Sequence, residues 1–345
     1  MNIEEIAKLA QVSKSAVSFA LNGKPGVSPE TRDKILRIAQ EHGYYHKSLS
    51  QSRVAAGQNR TLRFAALTSS GILTDEYQKQ PFFTELIHHI EEQCSAYGYS
   101  LLFSSVQGED PGHEIGKLEQ NYETNGLLLL GTNLSREQIE DISSRIPNLL
   151  VLDTCFQTLD VDFCAINNMM GAYQAAAHLI ELGHSSIGYV QSKNRMYNFD
   201  ERLRGFSAAM QESSIELNKD HIYSIFPTVV QAQKDFVAKI RSQQDRLPTA
   251  LFCECDYMAI SVIKSLTELG IRVPHDIAVA GFDDIYEAKI ITPELTTVHV
   301  EKKQLASLAV QRLIERIEDK GSDATTKILV DTRLIVRSST RTAPV

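Results

Sequence analysis

Residues 2–23 read NIEEIAKLAQVSKSAVSFALNG, and their spacing decides the front of the chain. Ile3, Ile6, Ala7, Leu9 and Ala10 recur at helical intervals with Asn2 placed to cap them, which predicts a first helix of about two turns. Gln11-Val12-Ser13 is a short polar turn, and Ser13 can cap a second helix over 14–22 with Ala16, Val17, Ala20 and Leu21 facing inward. Lys14, Ser15, Ser18, Phe19 and Asn22 then point outward. Gly23 and Lys24-Pro25-Gly26 break that helix, Ser28-Pro29 opens a third with Ile35, Leu36, Ile38 and Ala39 as its apolar stripe, and Gly43 stops it. Two short helices about a three-residue turn, backed by a third, make a helix-turn-helix, which lays its second helix in a major groove of duplex DNA.

The distribution of charge fits that head. The whole chain of 345 residues carries a net charge of −8. Residues 1–60 hold nine Lys and Arg against five acids, whereas the remainder holds 26 against 38. A small cationic head on an acidic body is expected where one module meets a polyanion and the other must not; a chance fluctuation in surface charge is the alternative. With 43% hydrophobic residues the chain can bury two or three domain cores, and 18 Gly and 10 Pro exclude a collagen-like or low-complexity protein. No apolar run approaches the roughly 18 residues of a membrane span; the strongest, 127–130, has a buried strand's length. The start, MNIEEIAKLAQ, puts acids where a secretory signal needs basic residues, so a soluble cytoplasmic protein is expected. Cys94, Cys155, Cys164, Cys253 and Cys255 are odd in number and lack zinc-ligand spacing, so buried thiols are expected, with no metal and no cofactor.

The run from Ile6 to Ser18, with Ala20-Leu21-Asn22-Gly23, Val27-Ser28, Thr31-Arg32 and Gly43-Tyr44, closely resembles the DNA-binding head of the lactose/galactose-repressor family of bacterial transcription regulators. The likeness continues through nearly the whole chain. It implies a homodimer, a palindromic operator and a body like the periplasmic sugar-binding proteins that holds a small-molecule effector. On the family pattern Lys14, Ser15 and position 19 face base edges, and Asn2, Ser13, Ser18, Asn22, Ser28 and Thr31 contact phosphates. Small hydroxyl and amide groups suit phosphate oxygens, while longer side chains reach into the groove. The family commonly has Arg where this chain has Phe19, which can pack only on a thymine methyl or on the helix's own neighbours, so a different operator preference is expected. Residues 45–61 read as a linker able to form one short helix over 49–56. In the family this hinge wedges a leucine into the minor groove. Arg53 stands at that position here, with Val54 next and His46 at the usual proline, so Arg53 is expected to enter by charge and the kink to be weaker.

Behind the head, strand-like runs at 62–68, 99–104, 126–130 and 149–153 alternate with helical runs such as 83–97 and 135–145. A second series has strands at 187–191, 222–226, 250–253 and 277–282 and helices at 169–182, 201–212, 229–241 and 257–269. The expected architecture is an all-α helix-turn-helix head over 1–47, a hinge over 48–61 and an α/β core of two doubly wound lobes over 62–345. The resemblance adds three crossings between lobes, near 163, 292 and 324, giving one lobe of about 62–163 and 292–324 and another of about 164–291 and 325–341. The run 301–320 and Leu251-Phe252 are candidates for the dimer contact.

Ligands of such folds lie where strand ends face each other. Asp153 ends a strand, and Arg202 and Asp283 occupy the family's usual effector positions. Carboxylates accepting from hydroxyls and a guanidinium donating to oxygens would hold a neutral polyhydroxy ligand, with Phe82 or Phe83 over its apolar face. An Arg–Asp pair that merely braces the lobes is the competing reading. The family's frequent Asn-Asp is Cys255-Asp256 here, which removes an amide from the pocket, so the effector is expected to be less polar than a simple sugar or to be held differently. An enzyme is the rival class, but no GxSxG, P-loop, GxGxxG after a strand or HExxH occurs. A free sugar-binding protein would leave the cationic head unexplained.

Overall fold

The computed structural model describes residues 3–21, 26–28, 30–32, 34, 35, 38, 60–68, 77–108, 110–243, 246–318 and 324–341. The chain divides into two compact units, 1–62 with 91–102 and 63–90 with 103–345. Nearly all of the expected hinge, Arg53 included, lies outside the described residues, as do Asn2 and Asn22.

In the head, α1 spans Ile3–Ala10 and α2 spans Lys14–Leu21, and residues 30–32, 34, 35 and 38 are also helical. Gln11 turns the chain with φ 57°, and the Ser13 Oγ accepts from the Ala16 amide at 3.1 Å, the cap that its position predicts. Ile6, Ala7, Ala10, Val17, Ala20 and Ile35 form the buried cluster, with Val12, Val27 and Ile38 packed against it. Leu9, expected inside, is 50% exposed. At about 100° per residue it lies roughly 100° from the centre of the arc that Ile6, Ala7 and Ala10 define.

The body carries β1 (Thr61–Leu67), α3 (Pro81–Ala96), β2 (Ser100–Val106), α4 (Pro111–Asn121), β3 (Gly126–Leu130), α5 (Arg136–Arg145), β4 (Leu149–Leu152) and β5 (Asp162–Ile166). There follow α6 (Asn168–Glu181), β6 (Ile187–Ser192), α7 (Tyr197–Glu212), β7 (Ile222–Ile225), α8 (Lys234–Ser242), β8 (Ala250–Cys253), α9 (Asp256–Glu268) and β9 (Ala278–Asp283). The chain closes with β10 (Thr296–Val300), α10 (Lys302–Glu318), β11 (Lys327–Val330) and β12 (Thr332–Ile335). Two six-stranded sheets result, ordered β11-β5-β4-β3-β1-β2 and β12-β10-β9-β8-β6-β7. Residues 127–130 pair in parallel with 149–152, and every side chain of β3 and β4 is buried, as continuous apolar strands covered on both faces require. The second sheet's edge strand β12 runs antiparallel to β10.

The chain passes between the sheets after Ile166, Val300 and Val330, a few residues downstream of the expected points. The polar run TTVHV is a strand because it continues the ladder of β9, with Thr296 opposite Ala280. The expected helix at 229–241 begins only at Lys234, because the Gln233 amide holds the preceding loop, accepting from the Phe226 N–H at 2.8 Å and donating to the Phe226 carbonyl at 2.9 Å. Leu251 and Phe252 are fully buried in β8 and so form core, not a dimer surface. On α10, Leu305, Ala309 and Leu313 are buried, and the helix packs on β3, β4 and β5. Among the described residues no helix is long and apolar enough to cross a membrane, and no group of three His, Cys, Asp or Glu is placed to hold a metal.

Candidate functional sites

Each sheet delivers one carboxylate at the carboxyl end of a strand: Asp153 directly after β4 and Asp283 as the last residue of β9. Both have left-handed backbone conformations, φ 62° and φ 117°, and Asp284 follows with φ 49°. A side chain disfavours that region, and such strain persists only where the surroundings hold it, characteristically at ligand clamps.

One turn of α7 joins the two carboxylates. Asn198 and Arg202 are four residues apart and share a helix face. Asn198 donates from Nδ2 to Asp153 Oδ1 at 2.9 Å, and Thr132 donates to the other carboxylate oxygen at 2.6 Å. The Asn198 oxygen accepts from Asn168 at 3.0 Å, and Asn168 in turn accepts from Arg202 Nε at 2.9 Å. Arg202 also donates to the Glu254 carbonyl and, at 3.1 Å, to Asp283. Its guanidinium lies 3.6 Å from the centroid of the Phe282 ring. Three of its five N–H donors are thereby engaged with oxygens of this chain. Burial pushes the Asp153 carboxyl up to about 6 against the opposing pull of Thr132, Arg202 and Asn198, and it also raises Asp283, opposed by Arg202 and Lys302.

Much of the remaining lining is apolar. Phe82 and Phe83 meet edge to face with centroids 5.3 Å apart, and Phe199, Met196 and Pro227 extend the surface. Cys255 points its S–H at the Pro227 carbonyl 3.7 Å away, so it offers the cavity a soft surface rather than a donor, and burial pushes its thiol pKa up. All six residues picked out from sequence, Phe82, Phe83, Asp153, Arg202, Cys255 and Asp283, line one cavity. Thr132, Asn198 and Tyr257 line it too and were missed. Thr132 stands two residues beyond the Leu127–130 strand, where the strand-end rule points, and Asn198 precedes Arg202 by one turn. About 40 Å³ is free in this conformation, far below the roughly 300 Å³ or more usual for small-molecule sites.

The Arg202–Asp283 pair does not span the lobes. The Phe206 ring of α7 packs against Tyr189 of β6 and Phe252 of β8, so α7 belongs with the second sheet, as Asp283 does. The bond from α7 to the first sheet's carboxylate is made by Asn198.

In the head, Ser13, Lys14 and Ser15 are exposed, Ser18 is half-buried and Phe19 is 40% exposed. The Phe19 ring lies over Gly26, whose φ is +115° and whose Cβ, were there one, would sit 3.2 Å from the ring. Phe19 is therefore neither core nor fully free of its neighbours. Arg32 donates to the Ala20 carbonyl at 3.0 Å, satisfying an orphan acceptor at the end of α2. Ser28 Oγ accepts from the Thr31 amide at 3.2 Å and donates to the Thr31 hydroxyl at 2.8 Å.

Residues 2–46 match the family model for bacterial regulatory proteins, lacI family, and residues 176–340 match the periplasmic binding protein-like domain. The HTH-type transcriptional repressor PurR of Haemophilus influenzae (strain PittEE) is 31% identical over 344 residues, covering 98% of each chain. The chain belongs to the lacI family of bacterial regulatory proteins. Two solved structures share its fold. The transcriptional regulator CelR in complex with cellobiose matches with TM-score 0.70 at 24% identity over 99% of this chain and 100% of that one. The lac repressor dimer bound to operator and the anti-inducer ONPF matches with TM-score 0.70 at 21% identity over 99% of both. As a lacI-family member this protein is a DNA-binding transcription regulator with a helix-turn-helix head and a two-lobed body.

Proposed function

We propose that this lacI-family protein is a repressor that binds a palindromic operator as a homodimer and takes its signal from a neutral, carbohydrate-like molecule in the cavity between its two sheets. Each protomer places α2 in a major groove, at half-sites about one helical turn apart. Lys14, Ser15 and Phe19 face bases, while Ser13, Ser18, Ser28, Thr31, Asn2 and Asn22 position the backbone and Arg53 adds a minor-groove contact. Because Ser13 and Ser28 already cap helices, they meet phosphate with their remaining hydrogen-bonding capacity.

The observation that carries the reading is one strand-end carboxylate from each sheet, tied through Asn198, Asn168 and Arg202 on the floor of an aromatic cavity, in a chain that begins with a helix-turn-helix. Asp153 and Asp283 accept hydroxyl protons, Arg202 donates to ligand oxygen, and Phe82 and Phe83 cover the ring, with Cys255 making that side less polar. With only about 40 Å³ free, a sugar-sized ligand must part the walls, so occupancy and lobe angle are linked. A ligand shifts that equilibrium only by its differential affinity for the two states, typically about 1 to 3 kcal/mol. The site is a receptor rather than a catalytic centre, and its work is done in the bacterial cytoplasm where operators are found.

The test is a footprint on duplex DNA from around the protein's own coding region, at low ionic strength, with and without candidate metabolites. Protection of a palindrome that changes with ligand is the expected result. An unprotected duplex under every condition overturns the proposal.

A further inference from the structure

Tyr257, in the first turn of α9, lines the cavity, yet its hydroxyl has no place in the hydrogen-bond chain that links Asp153 to Asp283. That oxygen is buried and has no hydrogen-bond partner among the described residues. Of the other polar side chains that line the cavity, Thr132, Asp153, Asn198, Arg202 and Asp283 each bond to a neighbour. Burial raises the pKa of the phenol, so the proton stays on and seeks an acceptor. The nearby group that favours the ionised form is the backbone N–H of Phe82, itself a donor and so unable to accept that proton. Phenylalanine would fill the same wall without a buried polar atom, and leaving a hydroxyl unmatched is costly. Cys255, two residues earlier, spends its S–H on the Pro227 carbonyl and offers nothing that would satisfy it.

We propose that Tyr257 is a specificity-determining residue of the cavity, donating its hydroxyl proton to an acceptor atom of the bound molecule. The proposal rests on the effector reading above and sharpens it. The ligand presents hydroxyl or N–H donors to Asp153 and Asp283 and a ring, hydroxyl or carbonyl oxygen to Tyr257. Two facing carboxylates disfavour an anion, so a phosphorylated sugar or a carboxylic acid is the wrong class.

The experiment compares full-length wild type, Tyr257→Phe and Arg202→Ala. Melting points are measured without ligand and with D-ribose, cellobiose, inosine and glucose 6-phosphate, followed by titration calorimetry with whichever probe stabilises the wild type. Without ligand, Tyr257→Phe is expected to melt close to the wild-type temperature, because no protein group accepts the proton of the lost hydroxyl. With the stabilising probe its affinity is expected to fall about tenfold, the effect of one hydrogen bond, and glucose 6-phosphate is expected to stabilise none of the three. A ligand-free melting point several degrees below wild type makes the hydroxyl structural and overturns the assignment. Unchanged affinity in Tyr257→Phe together with loss in Arg202→Ala also overturns it and leaves the effector reading standing. Unchanged affinity in both, or no stabilisation of wild type by any probe, overturns that reading and this one with it.

Discussion

The Asn198 amide donates to the Asp153 carboxylate at 2.9 Å, and through that bond a helix packed on the second sheet holds the strand-end acid of the first. The Arg202–Asp283 ion pair, by contrast, stays inside the second lobe. The two pairs therefore do different work: the ion pair shapes one wall, and the neutral amide fastens that wall to the one across the cavity.

Asn198→Ala should loosen this fastening. The Asp153 carboxylate would keep its bond from Thr132 but lose the one across the cavity, at a cost of about 1 to 3 kcal/mol. The expected outcome is a lower melting point and, by small-angle scattering, a larger radius of gyration for the ligand-free protein. A compact, equally stable variant would show that the bond does not hold the lobes.

Much of this site was legible in the sequence because the strand-end rule needs only strand positions. Asp153 and Asp283 follow apolar runs that read as buried strands, and the family likeness supplied Arg202 and pointed to Asp283 as well. Asn198 and Thr132 were passed over because neither is charged and each acts by touching another side chain, a pairing fixed by tertiary contact and not by spacing. The strand β10 was missed for a related reason: TTVHV carries little apolar signal, and its place is set by its neighbour β9. Leu9 shows the converse failure, since an i, i+3 match placed it within a stripe whose true centre lies elsewhere.

Lys14→Ala tests the head. If the side chain meets phosphate, operator affinity falls and the slope of log affinity against log salt flattens by about one; if it meets a base edge, discrimination at one position relaxes by about 1 to 3 kcal/mol. Salt-dependent binding assays on matched operator variants separate the two. Identical affinity, slope and preference would remove Lys14 from the interface.

Phe19→Arg exchanges an apolar contact for a bidentate donor. The ring is 40% exposed and rests on Gly26, so the fold should tolerate the change, while the selected operator should shift toward guanine at one position in each half-site. Selection from randomised duplexes gives the answer directly, and an unaltered consensus would make Phe19 a purely structural residue.

All five cysteines are buried, and burial pushes Cys94 and Cys164 up to about 12 and raises Cys155, Cys253 and Cys255 as well. The thiolate is the reactive form, so in native protein at pH 8 Cys94 and Cys164 should react with a thiol reagent on the order of 10³-fold more slowly than a free cysteine, the other three should also be slowed, and denatured protein should release all five thiols. Rapid native labelling of Cys255, located by mass spectrometry, would mean that the cavity is open to solvent far more than its geometry indicates.

The raised Asp153 gives a pH dependence of defined sign. A carboxyl whose pKa is about 6 in the fold and 3.8 in the unfolded chain binds its proton more tightly when folded. Between about pH 4 and 6 the native state carries more protons than the unfolded one, so this residue's contribution to stability declines as pH rises through that window and levels off above it. The full difference is about 3 kcal/mol at most. Asp153→Asn removes the titration and keeps two neutral bonds, because the Thr132 hydroxyl can turn to accept where it now donates. Thermal unfolding at pH 4.5 and 7.5 should then show the variant gaining on wild type at the higher pH, whatever other groups titrate in common. A constant offset between the two proteins across that range would place Asp153 in a wetter, less costly setting than its burial implies.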